Sequence, residues 1–194
     1  LGRLYLAHPS YAGKDKLPLA LTGHHGGGAP IKGVTLAAWI KPAAEMGKSE
    51  HQGRADIIGY GARRLVLSLE GQTAPYQLAA RINVNDIIGS NAKVEADRWS
   101  HVAMTGEPSN GQWRVRVFLN GQQIGEGQTK KFPSDSVVVP SLILGAEIFY
   151  FHSSYYRGLI GHTLIFDRTL SPAEVAALAQ SSAARVEIQV PLIG

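Results

Sequence analysis

The sequence predicts an all-β fold in which two antiparallel sheets pack face to face, with one short helix in the C-terminal region. Short runs with apolar residues at every second position recur along the chain, which is the period of a strand buried on one side. Turn-forming residues separate these runs, and the chain contains 22 Gly and 10 Pro. The 194 residues fit a single domain, 1–194, because sandwiches of this length are common.

The segment 99–121 carries the clearest pattern. Residues 99–104 and 113–119 read as two strands joined by a polar turn, and Asn120-Gly121 predicts a second tight turn, so three strands follow one another without a crossover. The second run divides into an apolar face and a mixed face. The apolar face holds Trp113, Val115, Val117 and Leu119, and the mixed face holds Arg114, Arg116 and Phe118.

The same alternation predicts the other strands. They are expected at 34–40, 56–59, 64–69, 77–82, 137–145 and 159–167, with further edge strands at 2–8 and 185–192. Leucines at every second position of 65–69 are expected to meet Val115 and Val117 in the core. In 159–167, one face is expected to hold Ile160, His162, Leu164 and Phe166. Loops are predicted at 43–54, 125–133 and the aromatic-rich 147–156.

One helix is predicted, at 172–180. Ser171 suits the N-cap, Pro172 the first helical position, and Glu174 completes a capping box. Val175, Leu178 and Ala179 recur with helical spacing and would form its buried stripe.

A family resemblance rests on several short motifs in a defined order. These are W-x-H-V-A from Trp99, the strand ending at Asn120-Gly121, L-I-L-G at 142–145 and G-L-I-G-H-T-L-I-F-D-R-T-L-S at 158–171. Together they resemble the laminin G-like or concanavalin A-like lectin/glucanase superfamily over residues 34–180. The resemblance implies a jelly-roll sandwich, and it implies that Trp39 and Trp99 lie in the core. Lectins, interaction modules, glycosidases and lyases share this fold, so it does not decide function.

Composition restricts the classes of function. The net charge of +4 comes from 19 basic and 15 acidic residues spread along the chain without a basic run, which argues against nucleic-acid binding. No apolar run is long enough to span a membrane. The chain has no cysteine, so disulfides and thiolate metal sites are excluded. It begins with Leu rather than Met, as expected of an excised or processed piece.

Carbohydrate recognition needs flat aromatic faces flanked by hydrogen-bonding side chains. The segment 149–156 contains the highest local density of aromatic residues. Two further strands carry arginines that could contact polar or anionic groups of a ligand. The candidate ligand-binding residues are Tyr150, Tyr155, Tyr156, Trp113, Arg81, Arg114 and Arg116. The alternative interpretation is that these aromatic rings pack against the core or a neighbouring domain.

Catalytic motifs are missing from the sequence. His25-Gly26-Gly27-Gly28 resembles the oxyanion-hole loop of esterases, but no G-x-S-x-G nucleophile motif accompanies it. The E-x-D-x-E strand of the glucanase relatives and the R-x-E-x-R strand of the lyase relatives are also absent. The remaining acidic residues, among them Asp56, Glu70 and Glu107, are scattered between strand ends and turns. No catalytic residue is therefore assigned.

No cofactor is assigned, although calcium remains open. Calcium recurs in the resembled family, whose members often carry Asp-Glu where this chain has Gly161-His162, a difference that removes two acidic groups. Oxygen ligands could still come from Asp56 or from the loop with Asn83, Asn85 and Asp86. The histidines His24, His25 and His51 are candidate ligands for a transition metal, although loop histidines more often have no such role.

The sequence thus favours a non-catalytic module that recognises a carbohydrate or a protein partner. The expected context is an accessory domain of a larger exported bacterial protein, located in the periplasm, outside the cell or at its surface. Two alternatives remain: a glycan-cleaving enzyme with dispersed acidic residues, and a structural spacer between domains. The sequence leaves the ligand and the oligomeric state open.

Overall fold

The fold comes from a computed structural model that describes residues 33–46, 53–60, 65–82, 86–129, 142–149, 152–166 and 168–180. These residues form twelve strands and one helix. The strands are β1 (Val34–Pro42), β2 (Arg54–Tyr60), β3 (Leu65–Glu70), β4 (Tyr76–Ile82), β5 (Asp86–Val94), β6 (Ser100–Ser109), β7 (Gln112–Leu119), β8 (Gln122–Thr129), β9 (Leu142–Leu144), β10 (Ala146–Phe149), β11 (His152–Tyr155) and β12 (Gly158–Phe166), and the helix is α1 (Pro172–Gln180).

The strands form two five-stranded antiparallel sheets, which confirms the predicted sandwich. The first sheet has the order β12-β1-β6-β7-β8, and the second has the order β5-β4-β3-β2-β9. Strands β10 and β11 form a separate hairpin that lies against β2. The predicted series of three strands across 99–121 is present, since β6 pairs with β7 and β7 pairs with β8.

The core lies between the two sheets and is built from the inward-facing half of each strand. Leu65, Leu67 and Leu69 of β3 are within 1 % of full burial and pack in one cluster with Val115 and Val117 of β7, as predicted. Burial of such aliphatic side chains is the main favourable contribution to folding, at about 1.5–3 kcal/mol each.

Helix α1 covers part of the outer face of the first sheet. Val175 is fully buried against Ala37, Ala103 and Phe118, which point outward from β1, β6 and β7. The capping box is confirmed: the Ser171 N–H donates to Glu174 Oε2 at 2.8 Å, and the Glu174 N–H donates to Ser171 Oγ at 3.3 Å. The helix therefore begins at Pro172, as the sequence predicts.

Thr35 fixes the segment that leads into the helix. Its hydroxyl donates to the Arg168 carbonyl at 2.8 Å and accepts from the Leu170 N–H at 3.0 Å, and Thr35 is fully buried on the outer face of β1. This reciprocal contact satisfies a polar side chain in a dry environment, where an unpaired hydroxyl would cost roughly 1–3 kcal/mol.

His101 lies on the same outer face, directly opposite Trp39 in the β1–β6 ladder. Its side chain is 1 % exposed, and its ring meets the Trp39 ring edge-on with centroids 5.5 Å apart. Among the described residues, Nδ1 of His101 has no hydrogen-bond partner. Burial lowers the pKa of this imidazole to about 4. His101 is therefore a neutral, structural histidine at neutral pH.

The structure corrects several predicted loops. Residues 125–129 belong to β8, and the aromatic-rich segment forms the hairpin β10–β11 instead of an irregular loop. Strand β5 was not predicted, because Gly89, Ser90 and Asn91 interrupt its apolar pattern. The predicted loop 43–54 contributes Met46 to the core, and Glu45 forms an isolated bridge with Thr73.

The predicted face of β12 is also wrong. Ile160 packs against the inter-sheet core, whereas Leu164 and Phe166 pack beneath the helix. The cause is a register shift opposite Ala37 and Trp39 of β1, which moves every later side chain of β12 to the other face. His162 sits at this irregularity with φ +35° and is exposed.

Some predictions fall on residues outside the described part of the chain. These are the terminal strands 2–8 and 185–192, the loop with His24 and His25, and His51, Asn83 and Asn85. Within the described part, no helix combines the length and the apolar character needed to cross a membrane.

Candidate functional site

The predicted ligand-binding residues lie in separate parts of the fold. Arg81 is on the outer face of the second sheet, whereas Arg114 and Arg116 are on the outer face of the first. Tyr155 ends the hairpin strand β11, and Tyr156 follows it. Tyr150 falls outside the described residues. The sequence-based set is thus not brought together at one place.

Trp113 points into the core. It is 6 % exposed and packs in the inter-sheet cluster. Gly106 on the paired strand leaves room for the ring, because a Cβ at Gly106 would lie 3.0 Å from Trp113 Cε3. In this position the Trp113 ring stabilises the sandwich and presents no face to a ligand.

Tyr156 is held by contacts within the fold. Its ring packs against the core, and its hydroxyl donates to the Leu159 carbonyl at 3.2 Å. Burial raises the pKa of this phenol well above its usual range, as expected for a side chain with little access to water. Tyr155 is partly exposed beside it.

Arg114 and Arg116 take part in a salt-bridge network across β6, β7 and β8. Arg116 lies 2.9 Å from Glu107 and 3.1 Å from Glu126, and Arg114 lies 3.9 Å from the same two carboxylates. Glu126 is 44 % exposed. Solvated pairs of this kind contribute about 0–1 kcal/mol to stability. A role of Arg114 and Arg116 in ligand binding stays a prediction.

A different group of polar side chains converges on the outer face of the second sheet. Because alternate residues of a strand point to opposite faces, the inward Leu and Ile side chains of β2, β3 and β4 leave polar neighbours pointing outward. Asp56 of β2 stands opposite Ser68 of β3, and Ser68 stands opposite Ala79 of β4. We name the outward set the polar face; its members are Arg54, Asp56, Ser68, Glu70 and Arg81.

Two bidentate salt bridges organise the polar face. Arg54 donates from Nε to Asp56 Oδ1 at 2.7 Å and from Nη2 to Asp56 Oδ2 at 2.8 Å. Arg81 donates from Nε to Glu70 Oε1 at 3.1 Å and from Nη2 to Glu70 Oε2 at 2.8 Å. Such fork-to-fork pairs fix the planes of both groups as well as their positions.

The second bridge lies diagonally over the middle of the sheet. Arg81 is two residues beyond Ala79, and Glu70 is two residues beyond Ser68, so the bridge spans the Ser68–Ala79 pair. The Ser68 hydroxyl donates to Glu70 Oε1 at 2.9 Å, and Ser68 is fully buried. The carboxylate of Glu70 is therefore held from two sides.

Burial differs between the two bridges. The side chains of Arg54 and Asp56 are 8 % and 1 % exposed, whereas those of Arg81 and Glu70 are 13 % and 25 % exposed. Burial raises the pKa of the Asp56 carboxyl, and the hydrogen bond and charge of Arg54 act against that shift. The Arg54–Asp56 bridge thus forms the base of the face, and the Arg81–Glu70 bridge is the part that solvent reaches.

An apolar group borders the accessible bridge. Ile87 of β5 is directly opposite Arg81 in the β4–β5 ladder and is 52 % exposed. Gln77 and Lys93, which face each other across the same two strands, are also exposed. This part of the face thus offers hydrogen-bond donors, acceptors and one exposed hydrocarbon side chain close together.

The aromatic hairpin lies near this face. Strands β10 and β11 both pack against β2, the strand that carries Arg54 and Asp56, and the Gly145 N–H donates to the Ile57 carbonyl of β2 at 2.9 Å. The predicted aromatic segment is therefore carried on the same side of the sandwich as the second sheet.

The predicted metal ligands do not come together within the described residues, where no three His, Asp or Glu side chains are placed to hold a metal ion. Asp56, a candidate oxygen ligand, has both carboxylate oxygens engaged by Arg54. A cation at Asp56 would have to displace this guanidinium.

Sequence reasoning identified Arg81 as a ligand-binding candidate and Asp56 as a possible calcium ligand, but it did not join them with Arg54, Ser68 and Glu70 into one set. The available signal was the alternation itself, since Arg54-x-Asp56 and Ser68-x-Glu70 place polar residues two apart within apolar strands. Recognising them as one set requires the β2–β3–β4 register, which the sequence did not provide.

Several solved structures are similar to this chain in fold. A heptameric SAP-like pentraxin from Limulus polyphemus has a TM-score of 0.59 at 16% identity, over 77% of this chain and 70% of that one. A putative carbohydrate binding protein from Bacteroides ovatus has a TM-score of 0.60 at 13% identity, over 75% of this chain and 40% of that one. The CBM40 of the Ruminococcus gnavus IT-sialidase, bound to α2,3 sialyllactose, has a TM-score of 0.58 at 19% identity, over 77% of this chain and 83% of that one.

At these identities the solved structures establish the fold alone, a two-sheet jelly-roll sandwich. No curated protein sequence matches this chain at a significant level. A family model does match: the model of the concanavalin A-like lectin/glucanases superfamily covers residues 20–176, most of the chain. The sandwich, the order of its strands and this match lead to one conclusion: the chain belongs to the concanavalin A-like lectin/glucanases superfamily.

Proposed function

We propose that this chain is a non-catalytic module that binds a glycan on the polar face of its second sheet. The observation that carries the proposal is the convergence of Arg81, Glu70 and the exposed Ile87 on the part of this face that solvent reaches, next to the fully buried Asp56 and Ser68. Hydroxyl groups of a sugar both donate and accept hydrogen bonds, and this surface offers both kinds of partner in fixed positions.

The fixed geometry favours binding. Side chains that are already ordered lose little conformational freedom when a ligand arrives, and this ordering otherwise costs about 0.5–1.5 kcal/mol for each flexible side chain. Arg81 and Glu70 hold each other through two hydrogen bonds, and Ser68 adds a third. The polar face is thus organised before any ligand is present.

The same contacts argue against catalysis at this face. Glycoside hydrolysis uses two carboxyl groups, one to protonate the leaving oxygen and one to attack or to activate water. Here both oxygens of Asp56 accept from Arg54, and both oxygens of Glu70 accept from Arg81. Neither carboxylate is placed to deliver a proton or to attack an anomeric carbon.

The similar structures support a carbohydrate as the ligand class. The Bacteroides ovatus protein is described as a putative carbohydrate binding protein, and the Ruminococcus gnavus module was solved with a bound sialyllactose. This chain spans 40% of the Bacteroides chain. We extend the proposal to an accessory domain, 1–194, of a larger exported bacterial protein that acts at the cell surface, in the periplasm or outside the cell.

A glycan array with the wild-type chain and two arginine variants tests the proposal. Arg81→Gln removes the charge of the accessible bridge, and we expect glycan binding to weaken by about tenfold or more, in line with hydrogen bonds to charged groups of about 1.5–3 kcal/mol. Arg116→Gln is the matched comparison, because its side chain is 15 % exposed against 13 % for Arg81 and it also bridges strand carboxylates. Its binding should equal that of the wild type.

Each other outcome has a defined meaning. Loss of binding in Arg116→Gln instead of Arg81→Gln would move the site to the outer face of the first sheet. Wild-type binding in both variants would remove the polar face from the proposal. If the wild type binds no glycan on a broad array, the chain is not a glycan-binding module, and a protein partner or a spacer role takes its place. Circular dichroism must show that both variants are folded.

A further inference from the structure

We infer that the polar face selects neutral glycans and discriminates against glycans that carry a carboxylate, such as sialylated or uronic-acid chains. This inference rests on the proposed function and adds the chemical class of the ligand. It depends on how the charges of the face are already paired, which is independent of the aromatic groups nearby.

Carboxylate ligands are best recognised by the bidentate edge of an arginine. On the polar face the Nε–Nη2 edge is occupied in both arginines, by Asp56 in one bridge and by Glu70 in the other. An incoming carboxylate therefore has two options: it displaces an internal carboxylate, or it binds at the remaining Nη1–Nη2 edge of Arg81, beside the charge of Glu70. Both options are unfavourable here.

Displacement is unfavourable because of burial. Asp56 is 1 % exposed, so removing Arg54 from it would leave a charge without a partner and without water. Glu70 is more accessible, but the Ser68 hydroxyl and Arg81 both hold it in place. A ligand carboxylate would gain one guanidinium only by releasing an equivalent carboxylate from it.

Binding beside the bridges offers little electrostatic gain. The two arginines and two carboxylates of the polar face carry opposite charges that cancel, so an added anion would lose hydration without a net attraction. A third cation of this surface among the described residues, Lys93, lies on the outer strand β5 opposite Gln77. A solvated lysine of this kind contributes little to the binding of an anion.

Neutral hydroxyl groups meet no such obstacle. The Arg81 guanidinium has five N–H donors, of which the bridge to Glu70 uses two, and Oε2 of Glu70 accepts one of these bonds and keeps a second lone pair for a donated hydroxyl hydrogen. Ile87 lies opposite Arg81 with 52 % of its surface exposed and can pack against the C–H face of a pyranose. A neutral sugar can therefore use the face as it stands.

The test is a glycan array that pairs each neutral glycan with its acidic counterpart, including lactose with 3′-sialyllactose and methyl-esterified with free trigalacturonic acid. We expect the wild type to bind neutral members about tenfold or more above their acidic counterparts. Equal or stronger binding of the acidic members would overturn this inference and leave the proposed function intact. Absence of all binding would instead overturn the proposed function.

A charge variant provides a second, independent readout. Glu70→Gln keeps an oxygen for Ser68 and Arg81 but removes the negative charge, so the Arg81 guanidinium becomes available to an anion. We expect the ratio of the affinity for the acidic glycan to the affinity for its neutral counterpart to rise by about tenfold in this variant. Titration calorimetry with a neutral and acidic pair that the array identifies measures both affinities. Glu126→Gln, on the opposite face, is the control and should leave the ratio unchanged. An unchanged ratio in Glu70→Gln would contradict the inference.

Discussion

Replacing His101 with leucine should remove a large part of the acid sensitivity of this fold. In the folded chain the imidazole is 1 % exposed, and burial holds its pKa at about 4, below the ordinary value of 6.5. In the unfolded chain the same ring returns to its ordinary pKa. Between these two values, the unfolded state binds a proton that the folded state excludes.

The sign and the magnitude follow from this difference. Where the unfolded state binds more protons, the free energy of unfolding falls as the pH falls, so the wild type loses stability between about pH 6.5 and pH 4. The gap between the two pKa values, at about 1.4 kcal/mol for each pH unit, corresponds to ~3 kcal/mol. His101→Leu cannot take up a proton and should not show this component.

Urea titrations followed by tryptophan fluorescence, repeated from pH 7.5 to pH 4, measure the effect. Other titrating groups are common to both proteins, so the informative quantity is the difference in the free energy of unfolding between wild type and variant. That difference should shift by about 3 kcal/mol in favour of the variant as the pH is lowered. A difference that stays constant across the range would show that His101 is not held neutral by the fold, and the reasoning would be wrong.

Three further substitutions probe other contacts. Asp56→Ala leaves the guanidinium of Arg54 buried without its carboxylate and should lower the free energy of unfolding by about 3–5 kcal/mol in urea titrations; a loss below 1 kcal/mol would mean that the bridge is solvated. Gly121→Ala should lower it by roughly 1–3 kcal/mol, because Gly121 has φ +82° and a Cβ there would lie 2.9 Å from Ala176 Cα; wild-type stability would refute this contact. Ser171→Ala removes the helix N-cap and should cost about 1 kcal/mol in thermal unfolding, with no change expected if the cap were satisfied otherwise.

Local signals predicted those elements whose determinants lie close together in the sequence. The helix α1 is an example, since Ser171, Pro172 and Glu174 define its start within four residues and the structure forms both capping hydrogen bonds. Strand β7 is another, because its alternation separates Trp113, Val115 and Val117 from the outward side chains. In both cases no distant contact was needed to reach the correct structure.

Strand β8 was missed because packing overrides local preference there. Gly125 and Gly127 are poor strand formers, and they favoured a loop. In the fold, a Cβ at Gly127 would lie 2.8 Å from Ile88 Cγ1, and one at Gly125 would lie 3.1 Å from the Gly89 carbonyl oxygen. A side chain at Gly127 would force Ile88 to move, and one at Gly125 would crowd the Gly89 backbone, because β8 and β5 approach closely where the two sheets meet.

The candidate site could be predicted only in part for a related reason. Arg81 was selected from its own strand, but its partner Glu70 is 11 residues away and reaches it only through the β3–β4 register. Arg114 and Arg116 looked equivalent to Arg81 in the sequence. What separates them is the sheet to which each belongs, and that is a property of the topology.

Helix α1 and the polar face lie on opposite sides of the sandwich, because each covers or forms the outer surface of a different sheet. The chain has no cysteine, and Ala177 on the helix is exposed. Ala177→Cys would therefore introduce a single thiol on the helix-covered side of the sandwich, opposite the polar face. A surface or a fluorophore coupled there would leave the outer face of the second sheet unobstructed, so immobilised protein would present the Arg81–Glu70 bridge to the solution in a uniform orientation.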